Sequence, residues 1–112
     1  MSTDFILTTE LHNKTLVLKT SGYINNTAGE EIVEEFSKHF NGGINKVIMD
    51  LEKTNVVNSI GISHIIDIVE KLLDIDGKLI FTNLDPSIKQ TFKTMGLFQF
   101  AEIADSVDAA LQ

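Results

Sequence analysis

Lys46-Val47-Ile48-Met49-Asp50-Leu51, followed shortly by Asn58-Ser59-Ile60-Gly61, is the stretch from which the fold is read. The first run is apolar and β-branched, as a strand covered by helices on at least one side requires. Glu52-Lys53-Thr54-Asn55 then turns polar, and Val56 and Val57 are expected to return toward the core. Ser59 opens an amphipathic helix, which puts a hydroxyl at the seam between strand and helix. From Ile62 onward the helical wheel gathers Ile62, Ile65, Ile66, Ile68, Val69, Leu72 and Leu73 on one arc, with Ser63, His64, Asp67, Glu70, Lys71 and Asp74 on the other. Ile60 falls with the polar set and is expected to face solvent.

Working outward, Phe5 to Glu10 and Thr15 to Thr20 read as an antiparallel pair of strands with a turn around Asn13, forming one edge of a sheet. Asn25-Asn26-Thr27 offers a helix cap, and Glu30 stands three residues beyond Thr27 as a capping box would have it. Ala28, Ile32, Val33, Phe36 and Phe40 then define one buried helical face, ended by Gly42-Gly43. Asp76-Gly77 turns the chain into a strand over Lys78 to Thr82. Asp85-Pro86 starts a helix whose inner face is Ile88, Phe92 and Met95, with Gly96 as its stop. A short strand around Ala101 to Ile103 and a helix from Ser106 to Leu111 complete the order β β α β α β α β α. The expectation is one α/β (mixed α+β) domain over residues 1–112, with Lys46 to Leu51 at the sheet centre.

At 112 residues and 43% hydrophobic composition the chain can bury a core of its own. Its formal charge is −7, and the nine lysines are scattered, so there is no basic stripe to neutralise the phosphates of a nucleic acid. No apolar run approaches the roughly 18 residues of a membrane span, and the start Met1-Ser2-Thr3-Asp4 lacks the pattern of a secretory signal. A cytoplasmic protein with no membrane insertion, monomeric or weakly dimeric, is expected.

The inventory of chemistry is thin. There is no cysteine, and His12, His39 and His64 stand apart in sequence. No paired-histidine zinc motif, nucleophile elbow or glycine-rich phosphate loop is present. Asp74-Ile75-Asp76-Gly77 lacks the later carboxylates of a calcium loop and reads as a turn. Glu30, Glu31, Glu34 and Glu35 read as a solvated helix face near a start that favours negative charge. No enzyme, cofactor or metal is expected. Ser59 differs because its position has a mechanism attached. A helix N-terminus exposes unpaired N–H groups and partial positive charge, so a phosphate there is accepted without unfolding. The same phosphate adds roughly −1.5 to −2 charges and would disturb a partner surface. A plain N-cap serine is the simpler reading of the residues alone.

With these residues in place the chain resembles the STAS domain family, and within it the bacterial anti-sigma factor antagonists, or anti-anti-sigma factors. The family pattern of an aspartate, two serines, a glycine and an aliphatic residue aligns with Asn58-Ser59-Ile60-Gly61-Ile62. Ser21-Gly22-Tyr23-Ile24, Asn25-Asn26-Thr27-Ala28, Val47-Ile48-Met49-Asp50-Leu51, Asp76-Gly77-Lys78-Leu79 and Met95-Gly96-Leu97 are matching landmarks over nearly the whole chain. The resemblance implies a mixed sheet of four to five strands packed with about four helices. It implies a protein that binds an anti-sigma factor serine kinase, frees a sigma factor, is switched off by phosphorylation of Ser59, and is a substrate for a serine phosphatase. Asn25 and Asn58 stand where the family commonly carries aspartates, and Ile60 replaces the second serine. Asn25, Asn26, Asn58, Ser59, Ile60, Ser63, His64 and Asp67 are the expected partner surface. The alternative is a STAS subunit that is never phosphorylated and serves a stress-signalling scaffold or a transporter complex.

Overall fold

A tight turn at Asn13-Lys14 joins the first two strands, β1 (Ile6–His12) and β2 (Thr15–Ser21), which pair antiparallel with His12 opposite Thr15. Asn13 takes φ 57, a left-handed conformation that asparagine tolerates better than most residues. The structure is a computed structural model describing residues 4–112, so the expectation drawn from Met1-Ser2-Thr3 lies outside the described residues. β3 (Lys46–Lys53), β4 (Lys78–Thr82) and β5 (Glu102–Ala104) follow, each parallel to the strand before it. The sheet order is β1-β2-β3-β4-β5, with β3 central as the sequence predicts.

Between the parallel strands run α1 (Asn26–Phe40), α2 (Ser59–Leu73) and α3 (Pro86–Thr94), and α4 (Val107–Leu111) closes the chain. Side chains alternate across each strand. Leu16, Leu18, Val47, Met49, Leu51, Leu79 and Phe81 meet Ile32, Phe36, Ile65, Ile68, Leu72 and Phe92 from the three long helices. On the opposite face Val17, Ile48 and Ile80 are covered by Ala110, with Val107 and Leu111 beside it. Burial on both faces explains why β3 reads as a nearly unbroken apolar run.

Beyond α4 that second face becomes polar. Asp50 is buried, and its Oδ1 accepts from the Glu52 N–H at 3.3 Å, the Thr82 hydroxyl at 3.2 Å and the Asn83 amide at 2.9 Å. Three donors offset much of the cost of desolvating the carboxylate, and they hold Asn83 at φ 57 where the chain leaves β4. Thr20 and Thr54, both buried, share a hydroxyl–hydroxyl hydrogen bond of 2.7 Å between β2 and the exit of β3.

Several details differ from the sequence reading. The cap of α1 is Asn25, whose side chain accepts from the Ala28 N–H at 3.0 Å, and not Thr27; Glu30 instead accepts from the Asn26 side chain. Val57 turns inward and bridges to Ile24, while Val56 is exposed, because extended backbone sends neighbouring side chains to opposite sides. Leu73 and Met95 are exposed, at 45% and 51%, because each lies at the end of its helix beyond the elements that cover the rest of the apolar face. A 3-10 turn over Leu97–Gln99, entered through Gly96 at φ 78, separates α3 from β5 and was not foreseen. At α3 the expectation holds: Asp85 caps it, accepting from the side chain and N–H of Ser87, which hold its carboxyl below the ordinary carboxylate range.

Candidate functional site

Because α1, α2 and α3 each follow a parallel strand, their N-termini gather at one end of the sheet, beside the carboxyl ends of β2, β3 and β4. The chain leaving β2 turns at Gly22, which adopts φ 100, and Gly22 N–H donates to the Lys53 carbonyl at 3.0 Å. Ile24 N–H then donates to the Val56 carbonyl at 3.0 Å, and Asn58 N–H to the Ile24 carbonyl at 3.1 Å. These bonds continue the β2–β3 pairing as an irregular ribbon beyond the sheet. They bring the caps of α1 and α2, Asn25 and Asn58, onto one surface.

Asn58, and not Ser59, is the cap of α2. Its backbone is extended at φ −88 and ψ 175, and its Oδ1 accepts from the Gly61 N–H at 2.8 Å. Ser59 is therefore the first helical residue, exposed, with no hydrogen bond assigned to its hydroxyl among the described residues. Both residues are good cap formers, so composition could not choose between them; the backbone geometry does. The division matters chemically, since the group that could be modified is not the group that holds the helix start. Asn58→Ala is expected to cost about 1 kcal/mol of stability in denaturant melts, whereas Asn58→Asp keeps the cap and melts close to the parent.

Ile60 is 53% exposed, as the wheel predicts. Ser63 and Asp67 are also exposed on α2, and the Ser63 hydroxyl donates to the Ile60 carbonyl at 2.6 Å. His64 is half-buried at the crevice between α1 and α2, where its Nε2 stands 2.9 Å from Asn26 Oδ1, within hydrogen-bond distance. The structure thus places Asn25, Asn26, Asn58, Ser59, Ile60, Ser63, His64 and Asp67 along the start and outer face of the α1–α2 pair, with Asp67 a turn further along. Among the described residues no group of three His, Asp or Glu side chains is arranged to hold a metal ion.

Two glycines make this surface possible: Gly61, which the family pattern includes, and Gly29, which the sequence reading passed over. A Cβ on Gly29 would collide with the His64 ring, so the ring lies against bare α1 backbone. A Cβ on Gly61 would collide with the Ile24 carbonyl, the acceptor of the Asn58 N–H. Gly29 carried a readable signal, because a glycine inside a helix costs about 1 kcal/mol relative to alanine and so marks a packing reason.

Comparison with known proteins agrees with this architecture. The family model described as STAS domain matches residues 7–110. A protein of Bordetella bronchiseptica, BtrV, named as a candidate anti-sigma factor antagonist, is 23% identical over 95 residues, covering 85% of this chain and 82% of its own. The anti-sigma factor antagonist SpoIIAA in its unphosphorylated form superposes with a TM-score of 0.77 at 21% identity, covering 96% of this chain and 94% of its own. The Bacillus SpoIIAA in its phosphorylated form gives 0.78 at 22% identity, covering 95% and 96%. These likenesses carry the fold: a mixed sheet with helices.

Proposed function

The chain belongs to the STAS domain family, and on that premise we propose that it is an anti-sigma factor antagonist whose α1–α2 surface binds an anti-sigma factor serine kinase. The observation that carries the reading is the separation of Asn58, which caps α2, from Ser59, which is exposed one residue later and free to be modified. In the unmodified state the partner docks on Ser59, Ile60, Ser63, His64 and Asp67 of α2, with Asn25 and Asn26 from the start of α1. Ile60 supplies the apolar anchor and the polar residues around it form a rim, the usual division of an interface. Docking the kinase releases its sigma factor. Phosphorylation of Ser59 weakens the complex, and a serine phosphatase restores it. The relatives described above support this reading by name: SpoIIAA is an antagonist seen with and without phosphate.

The test begins with protein purified from its native cells, in growth and in stress, and measures intact mass, mapped modification sites and co-purifying partners. A bound serine kinase and a condition-dependent phosphate on Ser59 are expected. A large assembly with an unmodified Ser59 in every condition would favour a constitutive STAS subunit. With the partner in hand, Ile60→Asp is expected to weaken binding at least tenfold in calorimetry while the melting curve stays within about 0.5 kcal/mol of the parent, as for an exposed residue. Unchanged affinity would remove Ile60 from the interface.

A further inference from the structure

β1 is an outer strand that none of the described residues guards. Among the described residues no strand pairs with its far side, since the sheet order starts at β1. Sheet edges are ordinarily blunted by brevity, proline, lysine, glycine bulges or covering elements. The other edge, β5, is short, with only three residues. β1 has seven, and residues 6–12 (ILTTELH) contain no proline, glycine or lysine. Its register with β2 runs without a shift from Ile6 to His12. Ile6 is 57% exposed and Leu11 55%.

The two-residue turn fixes which way each backbone group points. It makes His12 and Thr15 a hydrogen-bonded closing pair, so by alternation Glu10, Thr8 and Ile6 bond to β2. Leu7, Thr9 and Leu11 then direct their N–H and C=O groups away from the sheet. An antiparallel copy of the same edge meets these groups in phase when the two-fold axis passes through Thr9. Leu7 of each copy then faces Leu11 of the other, and Thr9 faces Thr9. On the opposite side Thr8 faces Glu10 and Ile6 faces His12, so no like charges stand directly opposite. An axis at Glu10 would set two carboxylates face to face, and an axis at Thr8 would carry Leu11 past the end of the partner strand.

We propose that the β1 edge pairs with the β1 edge of a second copy of this chain, antiparallel about a two-fold axis through Thr9, giving one continuous sheet across a weak homodimer. The Glu10 carboxylates, which become diagonal neighbours, are each bound within their own copy, to His12 at 3.0 Å and Lys19 at 3.1 Å. An edge contact is narrower than the roughly 1,200 Å² at which stable interfaces begin, so the dimer forms and dissociates with concentration. None of the candidate partner-binding residues lies on β1, and the proposal does not rest on the antagonist function.

The absence of cysteine from the chain supplies a clean test. In a hydrogen-bonded antiparallel pair the Cα atoms lie about 5.5 Å apart, within disulfide reach. Thr9→Cys is therefore expected to oxidise to a covalent dimer at least tenfold faster than Leu11→Cys, whose two copies are offset by roughly four residues, about 13 Å. Sedimentation of the unaltered protein should show a dimer fraction that rises with concentration. Equal cross-linking of the two variants would overturn the register. A protein that remains monomeric throughout, with neither variant cross-linking, would overturn the dimer.

Discussion

Ser59→Asp is expected to weaken the complex with an anti-sigma factor kinase by about ten- to a hundredfold, with Ser59→Ala binding close to the parent. The hydroxyl stands at the first position of α2, exposed beside Ile60, so added charge enters the proposed contact directly. Docking would strip water from that charge, and Asp67 on the same helix face offers it no compensating cation. A loss of about 1.4 to 2.8 kcal/mol of binding energy is the corresponding range. Phosphate should do more than aspartate, since it carries nearly twice the charge. Neither change should lower the melting temperature, because negative charge near a helix N-terminus is favourable and the cap belongs to Asn58. Titration calorimetry of the parent, both variants and the phosphorylated form decides the matter. Equal affinities for Ser59→Asp and Ser59→Ala would end the case for a phosphorylation switch at this residue, and a collapse in stability would show that Ser59 supports the fold after all.

Gly61→Ala should be the most damaging conservative change near the site. Its new methyl would press on the Ile24 carbonyl, and that carbonyl already accepts the Asn58 N–H at 3.1 Å. Backbone cannot swing aside as a side-chain terminus can. Relief requires α2 to back away from the Gly22–Ile24 ribbon, which loosens the Asn58 bond and opens the packing of Ile62 and Ile65 beneath it. The expected cost is about 2 to 3 kcal/mol, against the small gain that alanine ordinarily brings to a helix, and roughly a 10 °C fall in melting temperature. Gly29→Ala makes the informative comparison. There the obstacle is the His64 ring, a side chain that can rotate away, so stability should fall less while the His64–Asn26 bond is lost. If Gly61→Ala melts like the parent, the approach of α2 to Ile24 is looser than the structure shows.

What the sequence revealed followed from periodicity and punctuation. The β-prone run at Thr15 to Thr20, the continuous apolar run at Val47 to Leu51 and the Asp85-Pro86 start were each read correctly, and the strands and helix appear where expected. Caps were harder, because Asn25, Asn26 and Thr27, like Asn58 and Ser59, are neighbours with the same local chemistry. Only the tertiary bonds of Ile24 and Asn58 decide which one leaves the helix. The wheel for α2 was right at Ile62, Ile65 and Ile68 and failed at Leu73, because a wheel cannot tell where the covering element stops. The buried carboxylate of Asp50 and the Thr20–Thr54 pair were not anticipated, since the side chains that bond Asp50 and the partner of Thr20 come from residues more than 30 positions away. At the candidate site, the exposure of Ile60 was legible. The crevice that seats His64 was not, because it depends on a glycine in a different helix.

The coincidence of sheet order with chain order bears on how the molecule comes to exist. Each strand pairs with the one synthesised just before it, so no strand must wait for a later segment to wedge between neighbours already formed. The β1–β2 hairpin needs only a two-residue closure, and every further strand adds beside the last with one helix in between. Loop-closure entropy is therefore met in small instalments, which favours fast folding. A chain emerging from the ribosome can extend its sheet outward from the amino terminus, each new strand covering the edge left open by the one before it.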